Sequence, residues 1–307
     1  MDKRLNRSDL MFSLAFLLML VIAIGAFFYG VKVGTERAQA DSESRGTAYA
    51  AAAVPQPVAY QQQDLVSFYH TVFLAYREFQ NEWLGAQNKW LADPTADRSA
   101  TMKELAKTAK REYETIKAVQ VSSLSPQLKE AQAGYLKSLK LFEEGFAELA
   151  AAANEGSAQD VLGKVGKNSY YKEGLAYALA GQRDYFASML KWAETINMDV
   201  DGDYASPEVL PIAEWKALPL IVKIKVASDF MAEQSVLTTY LPHDLAAKVD
   251  QFIASGQADK RKIKSFNGIA ELLTSTEAVT DGYFGEVKSR FYDQDQLPQL
   301  PFFSVEA

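Results

Sequence analysis

The sequence predicts an all-α protein with an N-terminal transmembrane helix, an antiparallel four-helix bundle and a smaller C-terminal helical subdomain. Three observations carry this expectation. Leu10 to Val31 runs 22 residues without a charge. From Leu65 onward, apolar side chains recur at alternating spacings of four and three, the mark of a buried helical face. The one strand-like alternation, Val222 to Val226, has no second strand in the sequence to pair with.

The apolar stretch fits a membrane span, because a helix rising 1.5 Å per residue needs roughly 20 residues to cross a hydrocarbon core of about 30 Å. Tyr29 stands near one end, where an amphipathic ring favours the interface. Residues 1–9 form a short tail carrying Lys3, Arg4 and Arg7, and 10–31 read as a signal anchor. Ala38-Gln39-Ala40 matches the small-x-small pattern of signal-peptide cleavage. The apolar run exceeds a secretory h-region, however, and Lys32, Glu36 and Arg37 intervene, which favours an uncleaved anchor. Lys32, Arg37 and Arg45 balance the N-terminal cations, so charge counting alone leaves orientation open. The denser basic tail and the exported look of the linker place the N-terminus in the cytoplasm and the body outside.

Residues 32–63 read as a flexible tether. From Ala38 it is rich in Ala, Gln and small polar residues, and Pro55 and Pro57 block regular structure.

Residues 64–196 carry the expected bundle. Its first helix places Leu65, Tyr69, Val72, Tyr76, Phe79, Trp83, Ala86 and Trp90 on a coiled-coil-like seam, with Arg77, Glu78, Glu82 and Lys89 off it. Asp93-Pro94 ends it. A second helix near 96–119 aligns Met102, Leu105, Ala109, Tyr113, Ile116 and Val119. Ser125-Pro126 opens a third, with a capping hydroxyl and proline at the first helical position. That helix carries Leu128, Tyr135, Leu139, Phe142, Phe146, Leu149 and Ala153, and Asn154-Glu155-Gly156 closes it. A fourth, near 158–196, is weakened early by Gly163, Gly166 and Gly174 and firmer later through Leu175, Leu179, Phe186, Met189, Ala193 and Ile196. Short connections imply up-and-down packing.

Residues 197–307 form the smaller subdomain. Leu220, Ile224, Ala227 and Met231 fit a helix face, which outweighs the alternation at Val222 to Val226. Leu245, Val249, Phe252 and Ile253 make a short helix ending at Gly256, and two more lie near 266–279 and 283–292. The tail from Leu297 to Phe303 is extended, and its phenylalanines either pack back or face a partner.

Composition narrows the function. A net charge of −7, with Lys260-Arg261-Lys262-Ile263-Lys264 as the single dense basic run, sets nucleic acid aside. The absence of cysteine removes disulfides, thiol catalysis and cysteine zinc sites. Asp199, Asp201 and Asp203 alternate as calcium ligands can, but the sixth and twelfth positions of an EF-hand are Tyr204 and Leu210. His70 and His243 lack partners at metal or catalytic spacing, and neighbours such as Glu143 and Glu144 point apart on a helix. No nucleophile, cofactor or metal motif is present. The 17 Phe, 15 Tyr and 4 Trp read mainly as core, with Tyr170, Tyr171, Trp192 and Trp215 as candidates for a binding groove. The expected role is a non-enzymatic binding or scaffold module of the bacterial envelope, held in the bilayer by residues 10–31 and working with an envelope protein. A sensor domain acting through a separate partner is the alternative, and an enzyme acting on wall or lipid material a third.

Overall fold

The computed structural model describes residues 59–304, all helices and connections with no strand among them. The apolar segment 10–31, Ala38-Gln39-Ala40 and residues 32–58 of the tether lie outside the described residues. The described residues fall in one compact unit.

The first helix starts at Gln62, and its three parts are α1 (Gln62–Phe68), a π turn (Tyr69–Phe73) and α2 (Leu74–Ala92). All eight seam residues from Leu65 to Trp90 are buried. The wider i→i+5 turn absorbs extra residues at the seam, so Phe68 and Phe73 bury as well. Asp93 is extended, as a residue before proline must be. α3 (Arg98–Lys117) is capped by the Asp97 carboxylate, which accepts from the Ala100 N–H at 2.9 Å. α4 (Pro126–Leu149) has proline in its first turn, as expected. The Ser125 hydroxyl does not cap it. Instead it donates to Asp64 at 3.0 Å and accepts from the Tyr60 N–H at 2.9 Å, fastening the chain entry to the bundle.

The expected fourth helix is two helices, α5 (Ala158–Lys167) and α6 (Ser169–Thr195). They part at Asn168, which is extended and whose side chain accepts from the Tyr171 N–H at 3.0 Å. Capping by Asn168, rather than glycine flexibility, makes the break. Gly174 is a packing residue: a Cβ there would stand 3.3 Å from the Ser138 carbonyl. At Gly181, a Cβ would meet the Ala131 carbonyl at 3.0 Å and the Tyr135 ring at 3.1 Å. Pairing of 131 with 181, 138 with 174 and 145 with 168 shows α4 and α6 running antiparallel at their closest approach. Ile196 follows the end of α6 and is exposed, because the helix stops one residue short of it.

The later elements are α7 (Ile212–Ala217), α8 (Leu220–Gln234), α9 (Pro242–Ala254), α10 (Gln257–Arg261), α11 (Phe266–Ser275) and α12 (Tyr283–Phe291). α8 resolves the ambiguous stretch as helix. It packs on α6 and α9 and buries Leu220, Ile221, Val222, Ile224, Val226 and Ala227. Its two alternating lysines are matched by carboxylates, Lys223 with Asp250 at 2.9 Å and Lys225 with Asp229 at 2.6 Å. α11 ends at Ser275 rather than 279, because Glu277 turns left-handed at φ +51°. The tail packs back: Leu300 and Phe303 are buried, and the Phe302 ring lies 5.4 Å from Tyr69 and 5.0 Å from His243.

Candidate functional site

α2 has a second stripe beside its seam. Arg77, Gln80, Leu84 and Asn88 follow at helical spacing, and Arg77 and Gln80 are buried although the seam excludes them. They face the non-helical link between α8 and α9, which leaves α8 through Ser235 in the left-handed conformation at φ +53°. The Arg77 guanidinium donates to the Thr238 carbonyl at 3.2 Å and the Thr239 carbonyl at 2.5 Å. The Gln80 amide donates to the Thr238 carbonyl at 2.8 Å. A planar fork suits two consecutive carbonyls, and the clamp sets this link against α2.

Beyond the clamp opens a cleft of about 1310 Å³. Leu84, Gln87 and Asn88 of α2 form one wall, and Met231, Gln234 and the link from Val236 to Tyr240 a second. Glu271, Leu272 and Ser275 of α11, with Glu277, Val279, Thr280 and Asp281, form the third. Its lining mixes aliphatic, neutral polar and charged groups, a composition suited to binding.

A buried carboxyl group lies on the helix that follows the link. Asp244 is fully buried, and its carboxylate accepts from the Leu241 N–H at 3.0 Å and the Phe284 N–H at 2.9 Å. Burial raises its pKa, while those N–H groups and Arg77 pull the other way. Burial also raises Asp281, on the cleft wall, against the pull of Arg77. For Arg77 itself burial lowers the pKa, opposed by Asp281 and Asp244.

His243 is neutral for a physical reason. Its ring is boxed by Phe284, Phe302 and Phe303, and its Nδ1 has no hydrogen-bond partner. Burial, then the Arg77 charge, push its pKa down to about 3. His70 sits exposed on the π turn with its ring edge-on to Tyr69.

The other residues singled out in sequence do not converge. Asp203 pairs with Lys191 at 2.7 Å, and Asp201 accepts from the Asp203 N–H at 2.9 Å, the geometry of an acidic turn. Among the described residues, no group of three or more His, Asp or Glu side chains is placed to hold a metal ion. Glu143 and Glu144 both reach Lys140, at 2.9 and 3.7 Å. Tyr171 packs into the core and accepts from the Trp83 indole at 3.2 Å, while Tyr170 is exposed. Trp192 is buried, and Trp215 stacks on Phe266 at 4.4 Å and donates to Asp250 at 2.7 Å. These aromatics therefore line no common groove. Lys260, Arg261, Lys262 and Lys264 are exposed at the end of α10, a solvated turn.

Among the described residues, the fold and this cleft define an all-helical bundle with a large mixed-polarity groove. Compared with known protein families, curated proteins and solved structures, the chain matches none.

Proposed function

We propose that this protein is a membrane-anchored, non-catalytic binding module of the bacterial envelope, built as an antiparallel four-helix bundle with a smaller helical subdomain. Residues 10–31 anchor it in the bilayer, residues 1–9 face the cytoplasm, and the tether holds the body outside. The observation that carries the reading is the cleft clamped open between α2 and the link after α8. Its size suits a polymeric ligand rather than a small metabolite. Its lining offers hydroxyls, amides and carboxylates that can hydrogen-bond a ligand. An envelope protein is the partner the reading implies.

A photo-crosslinking residue at Gln87 tests this in intact cells, followed by membrane fractionation. Recovery of one discrete adduct in the membrane fraction, abolished by the cleft-filling Asn88→Trp, is the expected result. A protein found in the soluble fraction, or an adduct indifferent to Asn88→Trp, overturns it.

A further inference from the structure

Two features of the cleft, independent of each other, specify what it binds. The first is main-chain donors. The link from Val236 to Tyr240 belongs to no helix, and none of its five backbone N–H groups bonds to any described residue. Its carbonyls, by contrast, are engaged: Thr238 and Thr239 accept from Arg77, and Tyr240 accepts from the Thr238 hydroxyl at 2.8 Å. The carbonyls of Thr238, Thr239 and Tyr240 are therefore satisfied within the protein, and the amide donors of the link are left for solvent or for a ligand rich in carbonyls. The second feature is charge. The walls carry the carboxylates Glu271, Glu277 and Asp281 against the cation Arg261, with Arg77 behind Asp281 as its electrostatic partner.

We propose that the cleft accepts an extended basic peptide segment of a partner protein, its carbonyls on the N–H groups of Val236 to Tyr240 and its cationic side chains facing Glu271, Glu277 and Asp281. Peptide backbones recognise free main-chain groups in this way, while side-chain pockets supply selectivity. Leu84, Met231 and Leu272 offer apolar surface for alternate side chains. A glycan fits less well, because Tyr240 is the only aromatic side chain on the lining and sugars need exposed ring faces. This inference rests on the binding reading above and adds the chemistry of the ligand.

The test is selection of phage-displayed random dodecapeptides on the full-length protein in lipid nanodiscs, followed by fluorescence titration of the best synthetic peptide. Enriched peptides are expected to carry an excess of Lys and Arg. Reversing two rim charges with Glu271→Lys and Glu277→Lys is expected to weaken binding roughly tenfold. Replacing alternate peptide amides by esters, whose carbonyls accept hydrogen bonds more weakly, is expected to weaken it further, and Asn88→Trp to abolish it. Enrichment of neutral or acidic peptides, indifference to charge reversal, or binding of chitin oligomers without peptide enrichment overturns the inference. If Asn88→Trp still removes the crosslinked adduct in cells while the selection fails, the cleft stands as a binding site and only the peptide assignment falls. Both exposed rim positions lie outside the core, so folding of the variants is checked by an unchanged unfolding transition.

Discussion

Arg77 and Thr239, 162 positions apart, are joined by a hydrogen bond from the guanidinium Nη2 to the backbone carbonyl at 2.5 Å. A cation buried on the bundle's first helix thus holds the link that forms one wall of the cleft. Its balance comes from carbonyls, from the buried Asp244 and from the exposed Asp281 rather than a direct ion pair. Removing one member of such a set strands the others without solvent.

Arg77→Met is therefore expected to lower unfolding free energy by about 3 kcal/mol, because two carbonyls and a buried carboxylate lose their donor and counter-charge. Arg77→Lys keeps the charge but cannot span both carbonyls, and should lose an intermediate amount. Urea denaturation followed by tryptophan fluorescence reads both. A methionine variant as stable as the parent would show that the clamp contributes nothing.

His243 makes stability depend on pH. Its folded pKa of about 3 lies below the ordinary value of 6.5. As pH falls through that window, the unfolded chain takes up a proton that the folded chain refuses. Stability is complete above about pH 6.5 and drains toward pH 3, by at most about 1.4 kcal/mol per unit. Asp244 acts oppositely, since its raised pKa lets the folded state bind a proton first and gain stability as pH falls. His243→Phe, which suits a box of phenyl rings, removes the first effect and keeps the second. Melting temperatures measured from pH 7 to 4 should fall less in the variant, and parallel curves would refute the assignment.

The α4–α6 contact tolerates no side chain at Gly181, where a Cβ would meet the Ala131 carbonyl at 3.0 Å. Gly181→Ala should destabilise by about 1–3 kcal/mol through forced helix separation. Gly163, with nothing within 4 Å of an added Cβ, makes the contrast. Gly163→Ala should stabilise by roughly 0.5–1 kcal/mol, because alanine loses less backbone freedom in a helix. Thermal unfolding of the two variants side by side gives opposite signs if the packing is as described.

The proposed topology has its own check. Protease added to intact protoplasts should remove a C-terminal tag from a protein that keeps its full length before digestion. A protected tag would put the body in the cytoplasm and end the envelope reading.

Much of the bundle was legible because periodicity reports burial directly. Leu65, Tyr69, Val72, Tyr76, Phe79, Trp83, Ala86 and Trp90 are all buried, and each large ring contributes about 1.5–3 kcal/mol by leaving water. The strand-like Val222 to Val226 was legible as helix once Leu220, Ala227 and Met231 were counted with it. The break at Asn168 was hidden, because asparagine caps a helix or sits quietly within one, and only the Tyr171 N–H chooses. Ser125 misled for a similar reason: its hydroxyl had a local role available and took a distant one with Asp64. The cleft was the least legible part. Arg77 reads as a solvated residue beside a seam, and nothing near it announces Thr238 or Thr239 far along the chain.

The sequence by itself determined the helical character, the faces that bury and the positions where most helices start and stop, since these depend on neighbours within a few residues. Tertiary structure decided which second face of α2 is covered, why His243 stays neutral, and that the tail folds back onto the body. It also opened the cleft. Those outcomes depend on groups brought together from distant parts of the chain, and contact, desolvation and charge balance exist only once the helices have packed.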